Sequence, residues 1–115
     1  MTHYRHGNIP HVYRAIAATS EGDLILNLKL KAPHALLTDL EIYRCVNAIT
    51  YSNSDTLLDT AIGWTTDING DAILSINLGE TISPLPDKLY LYVRWKSGDN
   101  TIVTDKSPIF CVNVK

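Results

Sequence analysis

Three histidines, His3, His6 and His11, crowd the start of the chain. Imidazole is a common zinc ligand, but a closed zinc site needs four donors at short, patterned spacing. These histidines fit no such pattern and have no cysteine nearby. They are expected to be polar side chains of an extended arm. His34 follows Pro33 and is expected in a loop, not as a general base. Asp67, Asn69 and Asp71 carry oxygens at alternate positions, like the first half of a calcium loop. An EF-hand loop starting at Asp67 needs glycine sixth and glutamate twelfth. Ala72 and Leu78 stand there, so bidentate ligation fails and a hairpin turn accounts for the residues. No metal and no cofactor is expected.

Covalent and acid–base chemistry find no constellation either. The chain has no Gly-X-Ser-X-Gly elbow and no glycine-rich phosphate loop. Cys45 lies in an apolar strand pattern, where a thiol is inert. Carboxylates at Asp39, Glu41, Asp55, Asp59, Asp87, Asp99 and Asp105 form no pair with separable acid and base roles. The expectation is a protein that binds and does not catalyse.

Aromatic and basic side chains are the strongest candidates for binding. If Leu89, Leu91, Val93 and Trp95 fill a core, Tyr90 and Tyr92 stand outward beside Arg94. Tyrosine and arginine are enriched in interface hot spots, because they offer contact area for few rotamers lost. Tyr43, next to Arg44, and Tyr51, on a loop, extend such a patch. The competing reading is plain cross-strand packing on a solvated sheet face.

The elements that position these residues show a period of two. Leu24, Leu26, Leu28 and Leu30 alternate with Ile25, Asn27, Lys29 and Lys31, the pattern of a half-buried strand. Segment 88–96 repeats it, as do Ala72, Leu74, Ile76 and Leu78, and Phe110, Val112 and Val114. Strands are expected near 12–18, 24–32, 39–46, 56–63, 71–78, 88–96, 101–105 and 108–114. The alanine-rich Arg14–Ala18 is the only stretch that invites a helix, and it is too short to favour one. Asp67-Ile68-Asn69-Gly70 and Ser97-Gly98-Asp99-Asn100 supply hairpin chemistry. Ser83-Pro84-Leu85-Pro86-Asp87 must be a loop, because proline interrupts a ladder. The expected fold is all-β: an antiparallel Ig-like β-sandwich of about seven or eight strands. Residues 12–115 form the sandwich domain and residues 1–11 an extended N-terminal arm without alternation. Tyr4, Arg5, Ile9 and Tyr13 are its expected docking anchors.

Composition bounds the setting. A chain of 115 residues suits one domain, and at that size one core buries roughly two-thirds of the unfolded surface. The net charge is −2 with Lys and Arg scattered singly, so nucleic acid is not an expected partner. No apolar run reaches membrane-spanning length, and no leader pattern opens the sequence. Cytoplasmic folding is expected, with Cys45 and Cys111 as two buried free thiols.

The order of short words carries a resemblance. Gly22-Asp23-Leu24 opens an alternating strand to Leu30, and Leu37-Thr38-Asp39-Leu40 leads into Glu41-Ile42-Tyr43-Arg44. Asn69-Gly70-Asp71-Ala72-Ile73-Leu74 follows, then Ser83-Pro84-Leu85, Leu89-Tyr90-Leu91-Tyr92-Val93 and a Gly98-Asp99 hairpin. Over residues 20–115 this resembles the small β-sandwich domains of tailed-phage structural proteins. The nearest in pattern are the N-terminal domain of baseplate upper proteins and the long-tail-fibre connector domains. The family word before the third strand usually continues with small residues, where this chain goes directly to Glu41-Ile42. The resemblance implies a virion subunit in a tail, collar, baseplate connector or capsid decoration. Its partners would be other virion proteins and copies of itself, with no nucleic acid or membrane; a surface glycan stays open. It brings no catalytic residues. The alternative is a stand-alone carbohydrate- or peptide-binding module that stacks ligands on Tyr90, Tyr92, Tyr43 and Trp64.

Overall fold

The computed structural model describes residues 4–6, 9–47, 50–79, 82 and 85–114. Leucines two residues apart share one side of a strand and no side of a helix. Leu24, Leu26, Leu28 and Leu30 are accordingly buried together on β3 (Asp23–Leu30). The preceding β2 (Val12–Ser20) includes the alanine-rich stretch, with Ala15 and Ala17 packed against the core. Glu21 and Gly22 both have positive φ, 52° and 88°, and join Ser20 to Asp23 in a two-residue hairpin. The remaining strands are β4 (Asp39–Arg44), β5 (Thr56–Ile62), β6 (Thr65–Thr66), β7 (Ala72–Gly79), β8 (Lys88–Lys96), β9 (Ile102–Thr104) and β10 (Phe110–Asn113), with β1 (Tyr4–His6) at the start.

They form the antiparallel, Ig-like β-sandwich. One sheet has four strands in the order β2-β3-β7-β6. The other has six, in the order β1-β9-β8-β4-β5 with β10 also on β8. The inner faces meet through Leu26, Leu28, Leu74 and Ile76 from the first sheet and Leu40, Ile42, Leu91 and Val93 from the second, all buried. Trp95 lies with them at 2% exposure, and partly buried Trp64 tilts against it at 5.8 Å between ring centroids.

Strands β9 and β10 run in turn along the same side of β8, separated by a bulge at 105–109. Side chains replace the ladder there. Trp95 N–H donates to Thr104 Oγ1 at 3.0 Å and Val93 N–H to Ser107 Oγ at 2.9 Å. Ser107 is completely buried, and its own N–H returns a bond to the Val93 carbonyl.

Ten strands are described, the eight expected together with two short ones. The additions, β1 and β6, have three and two residues, too few for alternation to register. The β1 strand lies inside the N-terminal arm. It pairs parallel with β9, Tyr4 opposite Ile102 and His6 opposite Thr104. One expectation is corrected: Cys45 is buried but Cys111 is exposed, although both are free thiols. Alternation along β10 turns Cys111 away from buried Val112. Of the expected 83–87 loop, Ser83 and Pro84 lie outside the described residues; Leu85 to Asp87 form no strand.

Two measurements test this packing. Leu91→Ala should cost about 2–5 kcal/mol in urea unfolding, as full burial of a leucine implies. A thiol reagent should modify Cys111 in the native protein at once and Cys45 only after unfolding.

Candidate functional site

The outer face of the six-stranded sheet carries the densest polar and aromatic cluster among the described residues. It is built by register. Glu41 on β4 faces Arg94 on β8, and Tyr43 faces Tyr92 one row on. Arg94 Nε donates to Glu41 Oε1 at 2.5 Å, and the Tyr43 hydroxyl donates to the same oxygen at 3.1 Å. The Arg94 guanidinium lies 5.6 Å from the Tyr43 ring centroid. Tyr43 stacks on Tyr92 at 5.2 Å with planes 7° apart.

A loop from Val46 to Asp55 folds across this face and covers Tyr92. Asp55 clips it down. Its Oδ1 accepts Val46 N–H at 2.9 Å; its Oδ2 accepts Ser52 N–H at 2.9 Å and the Tyr92 hydroxyl at 2.8 Å. From the loop, Tyr51 donates its hydroxyl to the Ser107 carbonyl in the bulge. Its ring meets Tyr92 edge to face. Lys106, exposed on the same bulge, places its ammonium over both rings.

The electrostatics suit fixation of structure. Burial, then the bond to Asp55 and its charge, push the Tyr92 phenol well above its ordinary value. Burial and the neighbouring Asp55 charge raise the Cys45 thiol, so it stays protonated and weakly nucleophilic at neutral pH. Desolvation works to raise Asp55, but the Val46 and Ser52 amides, the Tyr92 hydroxyl and Lys106 together hold it below its ordinary value.

The residues singled out from the sequence are scattered. Tyr43, Tyr92 and Arg94 do come together, but Tyr92 is only 1% exposed. The expectation that it stands free on the surface is corrected, because the loop covers it. Tyr90 is half-buried opposite Cys111. Ile9 and Tyr13 are exposed; Ile9 lines a cavity of about 330 Å³ with Pro10, His11 and Lys31. Tyr4 and Arg5 sit in β1, and their side chains lie outside the described residues. Trp64 belongs to the core side of the sandwich, so it shares no surface with the tyrosines. Asp67 and Asp71 are bridged by Lys29 Nζ, 3.3 Å and 3.8 Å away. That ammonium occupies the position between them, while Asp67 Oδ1 accepts the Asn69 and Asp71 amides as a turn.

The sequence pattern missed Asp55, Ser107 and Lys106 as parts of the cluster. It also missed the open side of the sandwich. Among the described residues, strand β5 pairs only with β4. Strand β6 covers Ala72 and Ile73 of β7 but leaves Leu74–Gly79 as an edge. Between the two edges lies a cleft of about 560 Å³, lined by Ala61, Ile62, Trp64, Leu74 and Ile76. Ile62 is 83% exposed at its rim.

No family model and no curated protein matches the chain. A solved structure, described as a DUF3823 family protein from Bacteroides ovatus ATCC 8483, is similar over 92% of this chain, with 16% identity and a TM-score of 0.48. The chain spans about half of that structure's length, 54%. Likeness at this level assigns no function.

The Asp55 clip predicts an acid-sensitive tyrosine cluster. A carboxylate lowered on folding contributes stability above the unfolded value, 3.8, and loses it as pH falls through the folded one. Near-UV circular dichroism from neutral pH into strong acid should show the tyrosine signal fading below that point. Asp55→Asn should already have a weakened signal at neutral pH and a smaller acid change. An unaltered tyrosine signal in Asp55→Asn would show that the loop is held otherwise.

Proposed function

We propose that the protein is a non-enzymatic assembly module that joins its neighbours by adding strands at the open side of the sandwich. In the setting that the sequence resemblance implies, it is a structural subunit of a phage virion, and its first partner is a second copy of the same chain. The observation that carries this reading is the β5 edge. Natural sheet edges are usually guarded by lysine, proline, bulges or short length. Strand β5 is seven residues long, Thr-Leu-Leu-Asp-Thr-Ala-Ile, with no lysine and no proline. Its register shift leaves Leu58 as the extra residue, so Asp59–Ile62 remains regular. Exposed Ile62 flanks that stretch. A strand added here would satisfy backbone groups and cover the isoleucine in one step.

Besides the bulge at Leu58, the edge carries a modest guard. Thr60 N–H bonds to Asp59 Oδ1 at 2.8 Å, so an incoming strand must displace that carboxylate. Asp59 near the middle of β5 also disfavours a symmetric pairing that sets two copies of it opposite each other.

Light scattering across a concentration series tests the reading. The parent chain should associate. Ile62→Lys, a lysine on the edge, should abolish association while changing monomer stability by no more than about 0.5 kcal/mol. Asp59→Ala frees the Thr60 amide and should strengthen association. A parent chain that stays monomeric throughout, or an Ile62→Lys variant that associates as before, refutes strand addition at β5.

A further inference from the structure

The tyrosine cluster contains a feature that neither assembly nor folding requires. Tyr51 and Tyr92 lie with centroids 4.9 Å apart and planes at 85°. Two rings at a right angle present their faces as the walls of a corner. Lys106 Nζ sits in it, 5.2 Å from the Tyr51 centroid and 5.4 Å from that of Tyr92. Both distances fall within the range where the negative face of an aromatic ring attracts a cation.

The walls are held before any ligand arrives. The Tyr51 hydroxyl is tied to the Ser107 carbonyl and the Tyr92 hydroxyl to Asp55. Tyr43 backs Tyr92 as a parallel stack. Tyr51 is 47% exposed, so its wall of the corner faces water, while Tyr92, 1% exposed, is the closed wall behind it and behind Lys106. Fixed walls lower the ordering cost of binding.

The donors and acceptors around the corner select the kind of cation. Asp55 supplies negative charge nearby, yet both its oxygens already accept bonds, three in all. A primary ammonium brings three N–H groups that need acceptors; a fully methylated, quaternary one brings none and gains from the ring faces. Lys106 is exposed, and among the described residues no ion pair holds it in place.

We propose that the Tyr51–Tyr92 corner is a binding site for a methylated ammonium group, with Lys106 as its displaceable resident. The site is independent of the β5 edge, which lies on another part of the same sheet.

Tetramethylammonium chloride titrated into the full chain, with tyrosine ring resonances followed by NMR, tests this. Sodium chloride at matched ionic strength is the control. Saturable shifts of Tyr51 and Tyr92 are expected with tetramethylammonium alone. Lys106→Ala should tighten binding by about two- to fivefold, the worth of one exposed cation–π contact. In that background Tyr51→Phe keeps the ring face and should retain binding, whereas Tyr51→Leu should lose it. Amide spectra of each variant report that the sandwich is intact. Phosphocholine and trimethyl-lysine amide, titrated in the same way, identify the source: the tighter of the two points to a lipid headgroup or to a modified protein side chain. The proposal is overturned if Lys106→Ala shows no saturable shift, if sodium chloride reproduces it, or if Tyr51→Leu binds as well as Tyr51→Phe.

Discussion

Strand β8 lies in the middle of the six-stranded sheet with one face in the core and Tyr92 buried on the other, and the rest of the molecule is arranged around that constraint. Its inward residues, Leu89, Leu91, Val93 and Trp95, form the centre of the core. Its outward residue Tyr92 is as deeply buried. A strand so enclosed cannot leave backbone amides to water, and an unmet buried amide costs about 1–3 kcal/mol. The neighbouring chain breaks into a bulge beside Val93 and Trp95, and the Ser107 and Thr104 hydroxyls stand in for the missing ladder. No described buried side-chain polar atom lacks a partner. The same bulge presents the Ser107 carbonyl to Tyr51 and Lys106 to both rings. Core, bulge and surface cluster are thus successive consequences of one enclosed strand.

The sheet interior was legible because it is repetitive. Eight or nine residues of strict alternation, as in β3, β7 and β8, leave little freedom in which side faces the core. The turns were legible at Asp67–Gly70 and Ser97–Asn100, where Gly70 and Asn100 supply the positive φ. What escaped the sequence is what has no period. Three residues in β1 and two in β6 cannot alternate visibly, and their pairing depends on edges made by other strands. Cys111 shows the opposite case: the alternation of its own strand already set it beside Asn113, away from Val112, and a general rule about thiols concealed that.

The cluster was only half legible. Period two places Tyr43, Tyr92 and Arg94 on one face, and they are there. It says nothing about what lies above them. The burial of Tyr92 depends on a loop held by bonds between residues 9, 37 and 56 positions apart. Such separations carry no local signal. Two tyrosines that read as an exposed contact surface are therefore partly interior to a second, smaller core, whose lid is the β4–β5 connection.

The position of β8 in the chain has a consequence for how the molecule comes into being. Its neighbour β4 ends at Arg44, yet the β8 residues that pair with it begin at Leu91. During synthesis the β2–β3 hairpin can close at once, and β4 can pair with β5, but the other side of β4 stays unpaired until most of the chain has emerged. Contacts this distant in sequence slow folding, because long loops must close before they are rewarded. Through that interval Leu40 and Ile42 face no completed core. The window for misassociation therefore belongs to the nascent chain, and it closes only when the last third of the protein arrives.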